Sequence, residues 1–266
     1  KRSGGGRLVA KLSVVYLTYR PGGIDLLGES LRGSSKDWEL VLVDDYAGRP
    51  ERGHATRYLR DDCKLPLVWH GPSRPKSIEG TRGNLANSMN TGAMRCSGSM
   101  VLFLHDYTLP PATMVSYWTE ASQSHGPTKL VHGVAIEMAS PKPEYADDVT
   151  TWKSPSKYIP VRPWVPATLE LFYLSVPMRF LELIDGVDER GDHCGPTIMN
   201  ALAMQARLLG YDFVVDDSLV LKMIDHRKWE ETDALEGLWK IKGHATTAAE
   251  PLWTVPSHNR LKFAHA

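Results

Sequence analysis

The first part of the chain alternates between short apolar runs and stretches with helical spacing. Leu12–Tyr19, LSVVYLTY, is rich in β-branched and aromatic residues and stops at the turn signal Arg20-Pro21-Gly22-Gly23. Apolar residues then recur at Ile24, Leu27 and Leu31, which predicts a helix. A second apolar run, Trp38–Val43, closes on Asp44-Asp45. Strand, helix and strand within about 30 residues make a βαβ unit and imply parallel strands. Ala55–Asp61 reads as a short helix and Leu65–His70 as a third strand. Gly71–Gly83 is a polar loop carrying Arg74, Lys76 and Arg82. Asn84–Cys96 is a helix with Leu85, Met89 and Ala93 on one face, broken by Ser97-Gly98. Met100–Leu104 is uniformly apolar, as a central strand requires.

The second half is less regular. Strands are predicted over Leu130–Glu137 and Leu169–Val176, a short helix over Pro177–Leu183, and a longer helix over Thr197–Leu209 ending at Gly210. The last strands fall in Tyr211–Met223. Ala139–Ala167 holds six prolines with Trp152, Tyr158 and Trp164, and reads as a long aromatic loop beside a site. Residues 1–10 read as a flexible N-terminal arm. Residues 11–228 read as one domain, split into halves at 111/112, and 229–266 as an extension packed on it, with Trp229, Trp239 and Trp253.

Composition narrows the class. The hydrophobic share of 42% and charged share of 23% are those of an ordinary globular protein. Lys plus Arg equals Asp plus Glu at 31 each, so no global field draws the chain to nucleic acid or membrane. Locally, Arg49, Arg52, Arg57 and Arg60 keep a nucleic-acid partner open. The three cysteines, Cys63, Cys96 and Cys194, fit reduced thiols better than a disulfide framework. No run approaches the roughly 20 apolar residues of a membrane span, and no apolar segment follows the basic start as in a secretory signal. The expected location is the cytoplasm.

Chemistry concentrates at the carboxyl ends of the predicted parallel strands, where open sheets of this type bind ligands. Those ends carry Thr18 to Arg20, Asp44-Asp45 and His105-Asp106. A carboxylate there is costly to desolvate unless it binds a cation or hydrogen-bond donors. Adjacent aspartates disfavour each other unless they too bind something.

Taken in order, these segments resemble the family 2 glycosyltransferases. The strand ending in Leu17-Thr18-Tyr19-Arg20, the strand closing on Asp44-Asp45, Gly83, Asn90-Thr91-Gly92 and Ser97-Gly98 are similar to that family's motifs. So are Phe103-Leu104-His105-Asp106-Tyr107-Thr108-Leu109-Pro110 and Gly186-Val187-Asp188-Glu189. The similarity spans about residues 11–226. It implies an α/β fold of GT-A type: a Rossmann-like, mixed, mainly parallel sheet flanked by helices. It also implies an inverting, divalent-metal-assisted transfer of sugar from a nucleoside-diphosphate sugar, a UDP-sugar being favoured.

By the resemblance, Thr18, Tyr19, Arg20, Asp44, Asp45, Gly83, Asn87 and His105 belong to the donor-binding set. Asp106, with His226, would hold Mn²⁺ or Mg²⁺ at the diphosphate. Arg74, Lys76 and Arg82 are candidates to assist the phosphates.

Three departures qualify this expectation. The usual Asp-x-Asp is here His105-Asp106-Tyr107, the family's arginine before Asn-x-Gly is Met89, and its Glu-Asp source of the general base aligns near Ile198-Met199. Asp192 is the first candidate to replace that base, followed by Asp188, Glu189 and His193. Two other readings stand beside this one: a nucleotide-binding protein of the same fold with altered chemistry, and a nucleotidyltransferase. The acceptor is a saccharide, a protein, a small metabolite or a modified base in nucleic acid.

Overall fold

A computed structural model describes residues 12–19, 23–35, 37–46, 52–75, 85–106, 108–138, 155–159, 173–189 and 195–224. In chain order these form β1 (Leu12–Thr18), α1 (Gly23–Leu31), β2 (Trp38–Asp44), α2 (Arg52–Arg57) and a π-helical turn (Tyr58–Asp62). There follow β3 (Leu67–Gly71), α3 (Leu85–Ala93), β4 (Met100–His105), β5 (Thr108–Leu109) and α4 (Met114–His125). The rest of the described chain holds β6 (Lys129–Met138), β7 (Pro155–Ile159), β8 (Tyr173–Pro177), α5 (Met178–Leu183), α6 (Gly195–Leu208) and β9 (Asp212–Ile224).

These strands form one mixed sheet in the order β3-β2-β1-β4-β8-β6-β9-β5, with β7 also pairing with β6. The expected βαβ unit is present: β1 pairs parallel with β2 and with β4, and β2 with β3. The sheet changes direction at β8, which runs antiparallel to β4 and β6. Beyond it, β6 and β9 are parallel.

Period-2 alternation explains why the central strands are apolar throughout. Leu12, Val14 and Tyr16 of β1 join Leu40, Leu42, Leu102 and Leu104 in one core, packed beneath Ile24, Leu27 and Leu31 of α1 and Trp118 of α4. The intervening Val15 and Leu17 join Val41, Val43, Val101 and Phe103 in a second core. That core is covered by Met89 of α3, Phe180 of α5 and Ile198, Leu202 and Ala206 of α6. Helices therefore shield both faces, and no strand position between the ends can be polar without a partner.

Where one does occur, it is fully served. Glu39 of β2 is 4% exposed. It accepts from Ser13 Oγ at 2.6 Å, from Ser97 Oγ at 2.7 Å, from Gly98 N at 3.2 Å and from Ser97 N. The Ser97-Gly98 break after α3 is thus caged by a carboxylate at the edge of the sheet away from the strand-end crevice. Beside it, burial and the Glu39 charge push the Cys96 thiol far above its ordinary value. Cys96 and Cys63 are free thiols, as expected, while Cys194 lies outside the described residues.

The sequence reading needs four corrections. α4 was not anticipated: only Met114, Val115, Trp118, Ala121 and Ser122 are buried, a narrow stripe, and Thr113 makes no side-chain cap. β5, at two residues, is too short for any period. β7 lies inside the stretch read as an aromatic loop; its Pro155 takes the first strand position, where proline costs no ladder bond. α3 ends at Ala93, short of the predicted Cys96. The remainder of the aromatic stretch, the arm and residues 225–266, with Trp229, Trp239 and Trp253, lie outside the described residues.

Two measurements test this packing. A Cβ added at Gly92 would lie 2.3 Å from Val15 Cγ1, on a central strand, whereas one at Gly53 of α2 meets nothing within 4 Å. Gly92→Ala should lose about 1–3 kcal/mol to overpacking despite its better helix propensity. Gly53→Ala should be neutral or gain up to about 1 kcal/mol; urea unfolding of both reads the contrast.

The second concerns Asp216 of β9, which accepts from His125 Nε2 of α4 at 2.9 Å and from Ser218 Oγ at 2.5 Å. Burial pushes its carboxyl up, but the Ser218 and His125 hydrogen bonds outweigh this and hold it below the ordinary value. A depressed carboxyl stabilises the fold above its unfolded value, about 3.9, and that contribution fades as pH falls through the folded one. The stability gap between wild type and Asp216→Asn should therefore shrink as unfolding is measured from pH 6 down through pH 4 and below.

Candidate active site at the strand ends

Three strand ends meet at one point because backbone hydrogen bonds carry the sheet one residue past its strands. Asp45 N donates to Thr18 O at 2.8 Å, and Asp106 N donates to Leu17 O at 3.0 Å. The ends of β2, β1 and β4 are thereby fixed side by side, bringing together Thr18, Tyr19, Asp44, Asp45, His105 and Asp106 as the sequence predicts.

Alternation then divides these six residues between the two faces. Thr18, Asp44 and Asp106 continue the rows that run under α1 and α2, and all three are buried at 2%, 0% and 0% exposure. Asp106 Oδ2 accepts from Thr18 Oγ1 at 3.1 Å and from Tyr19 N at 3.0 Å. Its Oδ1 lies 2.7 Å from His105 Nδ1. The first residue of α1 closes the space above: a Cβ at Gly23 would lie 2.6 Å from Thr18 Oγ1 and 2.8 Å from Asp106 Cβ. Tyr16 Oη donates to Gly23 O at 2.8 Å and holds that helix start down.

Asp44 is engaged in the same way. Its Oδ1 accepts from Tyr46 N at 3.2 Å and its Oδ2 lies 3.1 Å from His70 Nε2. His70 Nδ1 lies 2.8 Å from Thr56 Oγ1 of α2. Thr56, His70 and Asp44 form a relay that ties α2 and β3 to the end of β2. His70 was not singled out from the sequence, although its place at the end of a predicted strand was the available signal.

The other row faces the opposite way. Tyr19 is 37% exposed, and its ring meets His105 edge-on at 4.9 Å between centroids. Asp45 is half-buried, its Oδ1 accepting from Ser73 N at 2.8 Å and its Oδ2 from Ser88 Oγ at 2.8 Å. These contacts fix the carboxylate between the loop after β3 and helix α3. A carboxylate has about four acceptor positions, so Asp45 retains capacity for a further donor.

Glu189 follows the turn Asp185-Gly186, where both residues have positive φ (56° and 85°). It is 2% exposed and pairs with the Arg74 guanidinium. Asn90 Nδ2 donates to Glu189 Oε1 at 2.9 Å and Asn87 Nδ2 to Oε2 at 3.4 Å. Asp188 beside it is half-buried. Asn90 also accepts from Val187 N at 2.7 Å and donates to Val187 O at 2.8 Å, as a neighbouring strand would. Asn90 belongs to a motif marked in the sequence, but its partner, 97 residues away, does not follow from that motif.

Met89 and Ile198, which stand where the resemblance puts an arginine and the general base, are core residues at 0% and 1% exposure. Arg20, Gly83, Asp192, His193 and His226, with Tyr107, Lys76 and Arg82, lie outside the described residues. α6 begins at Gly195, with Pro196 in its first turn as expected. In the arginine-rich stretch, Arg52 donates to Asp44 O at 3.3 Å and Arg60 to Leu67 O at 3.1 Å, so two of these cations brace the backbone.

A metal centre can be tested against the donors present. Asp106 and His105 offer one carboxylate and one imidazole, yet Asp106 Oδ2 already accepts two hydrogen bonds within the chain and its Oδ1 lies against His105 Nδ1. Among the described residues no three His, Cys, Asp or Glu side chains gather as ligands. Those residues do not fit a metal site by themselves. A cleft of ≈ 700 Å³ opens at the other end of the sheet, lined by Leu12, Ser97, Met100, Ser122 and Met178 among others. It contains no group from the strand-end cluster, so the chemistry points to the strand ends and not to this cleft.

No protein-family model matches the sequence, and no curated protein matches it. Solved structures do. The mannosyltransferase PcManGT from Pyrobaculum calidifontis, determined in complex with GDP-Man and Mn²⁺, superposes with a TM-score of 0.54 at 16% identity. That match covers 93% of this chain and 68% of the other. TarS residues 1–349 from S. aureus superpose with a TM-score of 0.51 at 15% identity, over 91% of this chain and 67% of the other. No membrane-spanning candidate occurs among the helices of the described residues.

The burial of Asp106 makes a prediction. Asp106→Ala would leave the Thr18 hydroxyl and the Tyr19 N–H without their acceptor, at a cost of about 1–3 kcal/mol. Thermal unfolding in EDTA should show this loss undiminished, whereas a residue serving only as a metal ligand would show none. Sequence motifs and solved structures agree at the level of architecture: the chain shares the α/β fold of these two proteins, and its polar strand ends lie side by side.

Proposed function

We propose that the chain transfers a sugar from a nucleoside-diphosphate sugar to an acceptor hydroxyl. The observation that carries this reading is the alternation at the strand ends. It leaves Tyr19 and Asp45 on the open row while Thr18, Asp44 and Asp106 brace the structure. An exposed aromatic ring beside a carboxylate with acceptor capacity suits a nucleobase, by stacking and by accepting a ring N–H. Thr18, Asp44 and His105 support that pair from behind, and Arg20, Gly83 and Asn87 complete the proposed donor set.

In the transfer, the acceptor oxygen attacks the anomeric carbon as the bond from that carbon to the diphosphate breaks, with inversion. A base takes the hydroxyl proton, and the nucleoside diphosphate leaves with the bonding electrons. Asp192 and Asp188 are the proposed bases, both preceding α6 in the chain. Mn²⁺ or Mg²⁺ would supply charge neutralisation at the diphosphate, with Asp106 and His226 the proposed ligands. Because the described donors do not fit a metal by themselves, no step is assigned to it. A second reading, a nucleotide-binding protein without transfer, draws on one observation: Ile198 is buried where the resemblance expects the base.

Calorimetry with UDP-, GDP- and TDP-sugars, with and without Mn²⁺, tests the reading. At least one donor should bind, and Tyr19→Ala should weaken it by about 1–3 kcal/mol, the range for loss of one base–aromatic stack. If no nucleotide sugar binds, the proposal fails. Binding without hydrolysis or transfer to any acceptor selects the second reading. Asp188→Asn and Asp192→Asn separate the two candidate bases: the true one should lose at least about 100-fold in kcat with donor affinity retained.

A further inference from the structure

We propose that Arg74 and Glu189 form a clasp locking the acceptor-side turn onto the donor-side loop, so that Glu189 positions the site and does not take the acceptor's proton. The functional names of the two sides rest on the transferase reading; the clasp rests on geometry alone.

Four adjacent polar residues of α3 carry the argument. Asn87, Ser88, Asn90 and Thr91 are 1%, 5%, 0% and 5% exposed, an unusual polar stripe for a buried helix. The stripe serves two segments. Toward the donor side, Ser88 Oγ holds Asp45, Thr91 Oγ1 accepts from Arg74 N at 3.1 Å, and Asn87 Nδ2 donates to Pro75 O at 3.3 Å. Ser73 N, on the same loop, donates to the other Asp45 oxygen. Toward the acceptor side, Asn90 pairs with both polar groups of the Val187 peptide, and Asn87 and Asn90 both reach Glu189.

Arg74 spans the two. Its backbone is fixed on the donor side, while its guanidinium pairs with Glu189, 115 residues along the chain. A buried carboxylate that loses such a partner is left uncompensated, as is the guanidinium if the carboxylate is removed. Either loss should therefore loosen both segments together. The Glu189 oxygens accept from one guanidinium and two amides. A group so occupied is suited to holding geometry, whereas a base needs an oxygen within reach of the acceptor hydroxyl.

Hydrogen–deuterium exchange on the full chain tests the clasp without any substrate. Arg74→Ala and Glu189→Ala should each raise exchange in both 72–75 and 184–189, and Arg74→Lys should restore much of the protection. Exchange that rises only in the mutated segment overturns the clasp. If a variant fails to fold, the Arg74→Lys and Glu189→Gln pair gives the same comparison with smaller perturbations. The proton-transfer part is read from kcat against pH, using hydrolysis of whichever of UDP-glucose and GDP-mannose binds. Glu189→Gln should keep the acid limb and lose less than about 100-fold in kcat, the lower bound for removing a general base; disappearance of that limb overturns the positioning role. Should no UDP-, GDP- or TDP-sugar bind, the transferase reading falls, and the exchange result still decides the clasp.

Discussion

Successive side chains of a strand point to opposite faces, and in a sheet covered on both faces each polar side chain must be satisfied on the face where it falls. That constraint organises this molecule. Along β1, β2 and β4 it demands unbroken apolar rows, which the two cores supply. At the strand ends it separates neighbours that look equivalent in the sequence. Asp44 and Asp45 are adjacent, yet one is buried against His70 and the other lies between Ser73 and Ser88. His105 and Asp106 divide in the same manner, Asp106 falling beneath the start of α1.

The polar groups inside this frame show the asymmetry of hydrogen bonding in a dry interior: a made bond contributes modestly, while an unmade one is expensive. Glu39, Asp106 and Glu189 each collect several donors from segments distant in sequence. Each of these carboxylates sits where regular structure ends: the break after α3, the exit of β1 and the turn before α6. They act as anchors for irregular backbone, whose N–H and C=O groups have no ladder to join. The anchoring of backbone at the strand ends thus follows from the same requirement that keeps the sheet apolar.

Much of the first half was legible because its signals are local. Apolar runs ending in paired polar residues gave β1, β2 and β4 and their parallel order, and with these the place where the polar strand ends meet. The second half was less so. α4 lacks both a broad apolar stripe and a side-chain cap, and β7 is held by pairing with β6, a contact that no window of sequence contains. The site was legible as a set of residues and not as a division of labour. The motif at His105-Asp106 marks the right place, but which of the two falls beneath the start of α1 depends on the register of β4 against β1 and on the absence of a side chain at Gly23. Likewise Arg74 reads as a candidate partner for phosphates until Glu189 is brought beside it.

The polar stripe on α3 has a consequence for how this fold can be recombined. Its four residues span little more than one helical turn, yet they address a loop before the helix and a turn almost a hundred residues after it. The segments on either side of α3 are therefore not interchangeable modules. A graft replacing the segment around Val187 would have to bring a carboxylate at position 189 and a backbone able to meet Asn90 at position 187. Inserting a single residue into α3 would rotate part of the stripe by about 100° and break its register with both segments at once. Sequence drift in loops can be absorbed locally, but the length of this one helical turn is fixed by the segments before and after it.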